Sequence, residues 1–190
     1  MGRFFARQIW VLAIALMAIG GCAWPNRARS DCSGKLASLM VISGLLADSW
    51  NIASLQRDYL YDSGSIDRCS VFFTFVGGGG YQEVYEYSTR NDAQLGFDRL
   101  RTVAFPENPS YDTPWTVDSD LVLDNLSADD FVLACSKSGD RERCQFLARY
   151  DTVNLLFFSH LVDNAMSIAD FRYVVRKLDG LVGQQLQESQ

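Results

Sequence analysis

Three strand-like runs follow one another closely in the second half of the chain, and they restrict the fold more than any other feature. They span Phe131–Ser136, Arg143–Tyr150 and Thr152–His160 and are rich in β-branched, aromatic and other apolar residues. The connections between them are too short for the crossover that parallel neighbours require, so the strands must run antiparallel. The third run is apolar on both faces, which predicts a central place in the sheet.

A second pair of strands is predicted nearer the amino terminus. The apolar run Val71–Val76 is followed by four glycines, Gly77–Gly80, and then by the alternating segment Tyr81–Tyr87. This pattern predicts a β-hairpin that turns at the glycines. Further upstream, Leu36–Ala47 fits either a short helix or the first edge of the fold, and Ile52–Tyr61 alternates partly, as a strand does.

Two helices complete the predicted fold. Thr89 and Asp92 have the spacing of a capping box and open a helix over residues 92–103, which Pro106 prevents from continuing. Ser167–Asp170 opens the last helix, whose apolar residues recur at helical spacing. These residues are Ile168, Phe171, Val174, Val175, Leu178, Leu181 and Val182. Strand runs with helices at intervals favour an α+β domain, an antiparallel sheet with helices packed on one face.

The first 21 residues combine a basic start, the apolar run Ile9–Ile19 and two glycines placed directly before Cys22. The apolar run is too short to span a bilayer, which takes about 20 residues. The sequence Ile19-Gly20-Gly21-Cys22 resembles the lipobox of bacterial lipoprotein precursors. The resemblance implies cleavage before Cys22, a diacylglycerol on its sulfur, and a protein anchored by lipid outside the cytoplasmic membrane. An ordinary secretory signal and an uncleaved anchor are the alternatives.

The chain is therefore expected to divide into a signal peptide (residues 1–21), a lipidated cysteine with a short tether (22–35) and a single α+β domain (36–190). The whole chain has a formal net charge of −6, and the signal contains two arginines and no acidic residue, so the mature protein is more acidic still. An acidic domain repels phosphate backbones, so nucleic acid is not an expected partner. The expected partners are the membrane, through the lipid on Cys22, and an unidentified protein or small molecule.

Four cysteines remain after Cys22, and an even number in an exported domain predicts two disulfides. Cys135 and Cys144 flank a polar loop between two apolar runs and are expected to pair, which leaves Cys32 for Cys69. A four-cysteine zinc site usually contains a close pair of cysteines, and this sequence has none. We therefore expect two disulfides, no metal and no cofactor.

The second half of the chain also follows a pattern found in small exported bacterial domains. One strand ends in a cysteine, a second cysteine opens the strand Cys144–Tyr150, and an apolar strand and an amphipathic helix follow. Together with the Met40–Trp50 stretch, the helix start after Tyr87, and Trp115, this arrangement resembles PsbP-like α+β lipoproteins and the extracellular sensor domains of some bacterial receptor kinases. The resemblance implies a small curved sheet with a cleft that binds a ligand or a partner, and it brings no catalytic motif.

Catalytic and phosphate-binding signals are weak. His160 is the only histidine, so a Ser-His-Asp or Cys-His unit would have to be built around it. Ser159 and Asp163 are near in sequence, but adjacent strand residues point to opposite faces. The glycines Gly77–Gly80 lead into a strand without the Gly-Lys-Ser/Thr ending of a phosphate-binding loop, so we interpret them as a hairpin tip.

Five aspartates crowd into the segment Asp118–Asp130. Asp118 and Asp120 have the spacing of the first calcium ligands in an EF-hand loop. Leu123 occupies the position where that loop requires glycine, and Asp129 the position where it requires glutamate. These departures favour a solvated acidic loop, and a calcium site is the alternative.

Trp115, Tyr111 and Tyr81 are the candidates for contact with a ligand or partner, because they lie in loop-like sequence outside the core strands. Trp115 has the alternative role of closing the end of the sandwich. The sequence combines a motif that resembles a lipobox with no recognisable set of catalytic residues. This combination favours a non-enzymatic, lipid-anchored module for ligand binding or protein interaction at the membrane surface. The alternatives are an accessory subunit of a membrane complex and a surface hydrolase centred on His160.

Overall fold

The computed structural model describes residues 34–40, 45, 50–52, 64–107, 113–117 and 121–188. Three helices and six strands lie in this described part. The helices are α1 (Gly34–Ser38), α2 (Arg90–Ala104) and α3 (Ile168–Glu188). The strands are β1 (Asn51–Ile52), β2 (Asp67–Phe75), β3 (Gly78–Glu86), β4 (Asp130–Ser138), β5 (Arg141–Tyr150) and β6 (Val153–Leu161). No helix within these residues is long and apolar enough to cross a membrane.

The strands form one antiparallel sheet in the order β1-β2-β3-β6-β5-β4. The β2–β3 hairpin and the β4–β5–β6 meander join where β3 pairs with β6, so the apolar strand β6 is central, as expected. The α+β class and the antiparallel sheet are confirmed. Of the expected strand Ile52–Tyr61, only Ile52 lies in the described residues, where it ends β1.

The sheet is covered by helices on both faces. Phe146 and Leu155 belong to a core that also contains buried residues of α1 and α3. Their neighbours Leu147 and Leu156 point the other way and form a second core with Phe97 of α2. The expectation of helices on one face therefore holds for α1 and α3, while α2 covers the opposite face. The reason is that β5 and β6 carry apolar side chains on both faces, and each face has to be buried.

The β2–β3 hairpin is confirmed, but its turn is shorter than the glycine run. The turn consists of Val76 and Gly77, which has a φ of 87°, and the next three glycines belong to β3. A Cβ on Gly80 would lie 2.2 Å from the carbonyl oxygen of Phe158 and 2.5 Å from the ring of Phe73. Glycine is therefore required here for close packing of the strand.

Both predicted helix starts are confirmed by their caps. The Thr89 side chain accepts a hydrogen bond from the backbone N–H of Asp92 at 3.1 Å and begins α2. Ser167 and Asp170 form a reciprocal box before α3. The Ser167 hydroxyl accepts from the Asp170 N–H at 3.2 Å, and the Asp170 carboxylate accepts from the Ser167 N–H at 2.9 Å.

The Cys135–Cys144 disulfide is confirmed. The two cysteines stand directly opposite each other in the β4–β5 ladder, and both are buried. Cys69 on β2 is also disulfide-bonded. Its expected partner, Cys32, lies outside the described residues, so the Cys32–Cys69 pairing stays a prediction.

Candidate functional site

A cleft of about 470 Å³ opens between α2 and the sheet. Its floor is formed by side chains of β2, β3, β5 and β6 that face α2. One wall is the apolar last turn of that helix with the segment after it, and Trp115 stands at the rim. The wall residues are Leu100, Val103, Ala104 and Pro106.

The position of α2 over the sheet is fixed by two buried amides. Asn154 on β6 donates from Nδ2 to the carbonyl oxygen of Ala93 at 2.8 Å, near the start of the helix. Gln145 on β5 donates from Nε2 to the carbonyl oxygen of Ala104 at 3.2 Å, at its end. The helix packs on Leu147 and Leu156 of the sheet, and its last turn, which carries the second anchor, lines the cleft.

A charged network lies in the floor of the cleft. Glu83 is only 7% exposed, pairs with the guanidinium of Arg68, and accepts a hydrogen bond from the hydroxyl of Tyr85. The same guanidinium lies 5.1 Å from the centre of the Tyr85 ring. Burial, and then the charge of Glu83, raise the pKa of Tyr85 above its ordinary value, so its hydroxyl stays protonated and continues to donate.

Trp115 is held at the rim by backbone pairing to β4. Thr116 and Cys135 exchange a pair of backbone hydrogen bonds. The N–H of each donates to the carbonyl oxygen of the other at 2.8 Å. The Trp115 ring meets the Phe105 ring edge-on at 5.2 Å, and the Arg143 guanidinium lies 5.1 Å from the centre of the tryptophan ring. These contacts place a large aromatic surface beside the opening.

Two of the three aromatic candidates come together in this cleft. Trp115 and Tyr81 both line it, while Tyr111 lies outside the described residues. Tyr81 belongs to β3 and not to a loop, and its ring stacks on Phe158 of β6 at 5.0 Å. Burial, and then the charge of Glu83, raise the pKa of Tyr81 to about 12. Their part in binding stays a prediction.

Most residues of the polar floor were not among the predicted site residues. The missed residues are Arg68, Glu83, Tyr85, Arg143 and Gln145. A usable signal was present, because Glu83 and Gln145 interrupt apolar strands and both prove to be buried. Which face such residues line depends on strand register and on which helix covers that face, and neither was evident from the residues alone.

His160 lies away from any acid–base partner in the described part of the chain. Its Nδ1 is 3.0 Å from the carbonyl oxygen of Gly79, and its ring meets Phe158 edge-on. Ser159 is fully buried, and its hydroxyl donates to the backbone carbonyl of His160 at 2.9 Å. A hydrolase centred on His160 therefore has no supporting geometry among these residues.

The acidic segment is described only in part, since Asp118 and Asp120 lie outside the described residues. Asp129 accepts hydrogen bonds from Arg149 at 3.1 Å and from the N–H of Asp151 at 2.7 Å. Within the described residues, no three His, Cys, Asp or Glu side chains are placed to hold a metal ion. Asp129 thus has a structural role at the β5–β6 turn.

No protein-family model and no curated protein sequence matches this chain. Its fold is similar to the crystal structure of the extracellular domain of PknH from Mycobacterium tuberculosis. The TM-score is 0.55 at 7% sequence identity, and the match covers 85% of this chain and 100% of that one. At such low identity the likeness shows a shared fold, and at that level it agrees with the resemblance to extracellular sensor domains.

Proposed function

We propose that this protein is a non-enzymatic, extracytoplasmic binding module that holds a small ligand in the cleft between α2 and the sheet. The observation that carries the proposal is the cleft itself, with a volume of about 470 Å³ and apolar walls above the buried Arg68–Glu83–Tyr85 network. Sites for small ligands typically have this size, with mostly apolar linings and a few converging polar groups.

The location outside the cytoplasm rests on separate support. The resemblance of residues 19–22 to a lipobox supports a lipid on Cys22, and the proposal accordingly divides the chain into a signal peptide (1–21), a tether (22–35) and a binding domain (36–190). The PknH structure with a similar fold is described as an extracellular domain. A disulfide between Cys135 and Cys144 also suits an oxidising compartment.

The test uses the intact protein, purified from its native membrane in mild detergent and analysed by native mass spectrometry. Val103 lines the cleft and is 80% exposed, so Val103→Trp adds bulk to the cleft wall without replacing a core residue. Leu95 is 49% exposed on the same helix and does not line the cleft, so Leu95→Trp is the matched control. We expect a small molecule to accompany the wild type and the Leu95 variant and to be absent from the Val103 variant.

A ligand that the Val103→Trp protein retains would contradict binding in this cleft. The same would follow if the wild-type protein contained none and no small molecule perturbed the NMR signals of the cleft residues. Either result leaves the fold intact and removes the proposed function.

An accessory subunit of a membrane complex is the second candidate, and one surface favours it. Phe72 is 40% exposed on the same sheet face as the cleft, and its ring lies 5.9 Å from that of Tyr81. Aromatic side chains of this kind are enriched at protein interfaces. The same purification distinguishes the two candidates, because a stoichiometric membrane protein would accompany an accessory subunit.

A further inference from the structure

The lining of the cleft is positively charged, although the chain as a whole is acidic. The described residues that line the cleft include three arginines, Arg68, Arg99 and Arg143, and one carboxylate, Glu83. These charges amount to a formal +2, whereas the whole chain has a formal net charge of −6. A cleft lined by one sign of charge and by low-dielectric walls concentrates ions of the opposite sign. The lining therefore favours an anion over a neutral molecule.

The tyrosines of the lining do not offset this charge. Burial, and then the charge of Glu83, raise the pKa of Tyr81 to about 12, and the charges of Arg143 and Arg68 act in the opposite direction. Burial also raises the pKa of Tyr85. Both hydroxyls are therefore neutral near pH 7. The effect of Arg143 on Tyr81 places its charge within electrostatic reach of the cleft floor.

Two of the three arginines are accessible to a ligand. Arg99 belongs to α2 and is exposed, and Arg143 belongs to β5 and is half-buried. The side chain of Arg68 differs, because it is only 13% exposed and pairs with Glu83. A molecule in the cleft can therefore meet positive charge on the helix and on the sheet.

Arg143 is the better placed of the two to hold an anion. Its Nε donates to the hydroxyl of Ser136 at 3.1 Å, and its guanidinium lies 5.1 Å from the centre of the Trp115 ring. These contacts fix the side chain beside the rim. A guanidinium has five N–H donors in a rigid fork that matches the two oxygens of a carboxylate, and the bond to Ser136 uses one of them.

The rest of the lining selects the body of the ligand. The last turn of α2 and the segment after it provide an apolar wall, and Trp115 adds an aromatic surface. An inorganic anion would leave these surfaces uncovered, whereas an apolar or aromatic body buries them and gains their hydrophobic contribution.

We propose that the cleft recognises an amphipathic organic anion, with an oxyanion head on Arg143 and an apolar body against the last turn of α2 and Trp115. A carboxylate is the simplest such head. The inference rests on the proposed function, because it specifies the ligand of the same cleft.

The test compares two probes on the intact protein in a neutral detergent at pH 7, by ligand-observed NMR. 2-Naphthoate is an anion, whereas 2-naphthamide has the same rings and no charge. Binding that the Val103→Trp protein also shows belongs to the micelle and is subtracted. We expect 2-naphthoate to bind more tightly by at least about tenfold, the effect of one charged hydrogen bond. Equal or tighter binding of 2-naphthamide would overturn the proposal.

Variants separate recognition of the charge from a structural role of the arginine. Arg143→Gln is expected to weaken 2-naphthoate binding by about tenfold and 2-naphthamide binding by less than about twofold. Arg143→Lys keeps the charge without the fork, so it should weaken 2-naphthoate binding less. Equal losses for both probes in Arg143→Gln would show a structural role and overturn the proposal.

Arg141→Gln is the matched control for net charge. Arg141 lies on the same strand and is exposed, but it does not line the cleft. The variant should bind both probes as the wild type does. A loss of 2-naphthoate binding equal to that of Arg143→Gln would assign the effect to the overall charge of the protein and overturn the proposal.

If neither probe binds, native mass spectrometry of the purified protein decides. An organic anion that is excluded by Val103→Trp and lost from Arg143→Gln would support the inference. Any other molecule that Val103→Trp excludes would overturn it and leave the binding module standing. If no molecule is found, both the inference and the proposed function are wrong.

Discussion

At the scale of single residues, Asp179 has the most concentrated structural role. It is buried within α3, and its carboxylate accepts three hydrogen bonds from two other parts of the molecule. The donors are the N–H groups of Ser127 at 2.7 Å and Ala128 at 3.1 Å, and the hydroxyl of Tyr150 at 3.0 Å. One side chain thus connects the last helix, the segment before β4 and the end of β5.

Asp179→Ala is therefore expected to lower the free energy of unfolding by about 3 kcal/mol, because buried donors are left without an acceptor. Urea denaturation followed by circular dichroism measures the loss. Tyr150→Phe removes one of the three bonds and is expected to cost about 1 kcal/mol. If the two variants lost the same amount, the backbone bonds to Ser127 and Ala128 would contribute nothing.

At the scale of elements, two glycines in regular structure differ in whether a side chain would fit at their positions. Gly80 in β3 has a backbone oxygen and a ring where a Cβ would stand, whereas Gly180 in α3 has no atom within 4 Å of that position. Gly80→Ala should cost about 1–3 kcal/mol through overpacking. Gly180→Ala should stabilise by up to about 1 kcal/mol through helix propensity. Thermal unfolding of both variants tests this, and a neutral Gly80→Ala would contradict the close β3–β6 approach.

The individual helices and strands could largely be predicted from the sequence, whereas their packing into the cleft could not. Local signals were sufficient for the hairpin, the β4–β6 meander and the caps at Thr89 and Ser167, because each depends on residues close together in the chain. The face that α2 covers depends on two distant amides, Gln145 and Asn154, which lie 41 and 61 residues beyond the helix carbonyls that they bind. The cleft results from that long-range placement, so only its aromatic residues Trp115 and Tyr81 were identified in advance.

At the scale of the whole molecule, buried tyrosines are expected to lower the free energy of unfolding as the pH becomes alkaline. Burial raises the pKa of Tyr81 to about 12, and those of Tyr85 and Tyr150 also lie above the ordinary value. Above about pH 10 an unfolded tyrosine loses its proton while the folded one keeps it. The folded state then binds more protons, so stability falls as pH rises, by about 1.4 kcal/mol per pH unit for each such tyrosine.

Urea unfolding between pH 8.5 and 11 measures this slope. Tyr150→Phe removes one of the titrating groups and should make the slope shallower, although it lowers stability at neutral pH. A free energy of unfolding that stays level across this range would show that the tyrosines ionise in the folded state as they do in the unfolded chain.

At the same scale, the proposed lipid on Cys22 would hold the whole domain, and with it the cleft, close to a membrane surface. Cys22 lies outside the described residues, and the lipid proposal depends on the lipobox alone. Two or three acyl chains, at about 0.8 kcal/mol for each buried CH₂, suffice for stable anchoring without any protein contact.

Cys22→Ser should therefore release the protein from membranes or stop its processing, as fractionation and intact-mass measurement would show. Ala23→Ser, a serine substitution one residue after Cys22, should leave the acyl mass in place. Normal processing and membrane retention of the Cys22→Ser protein would require a different anchor.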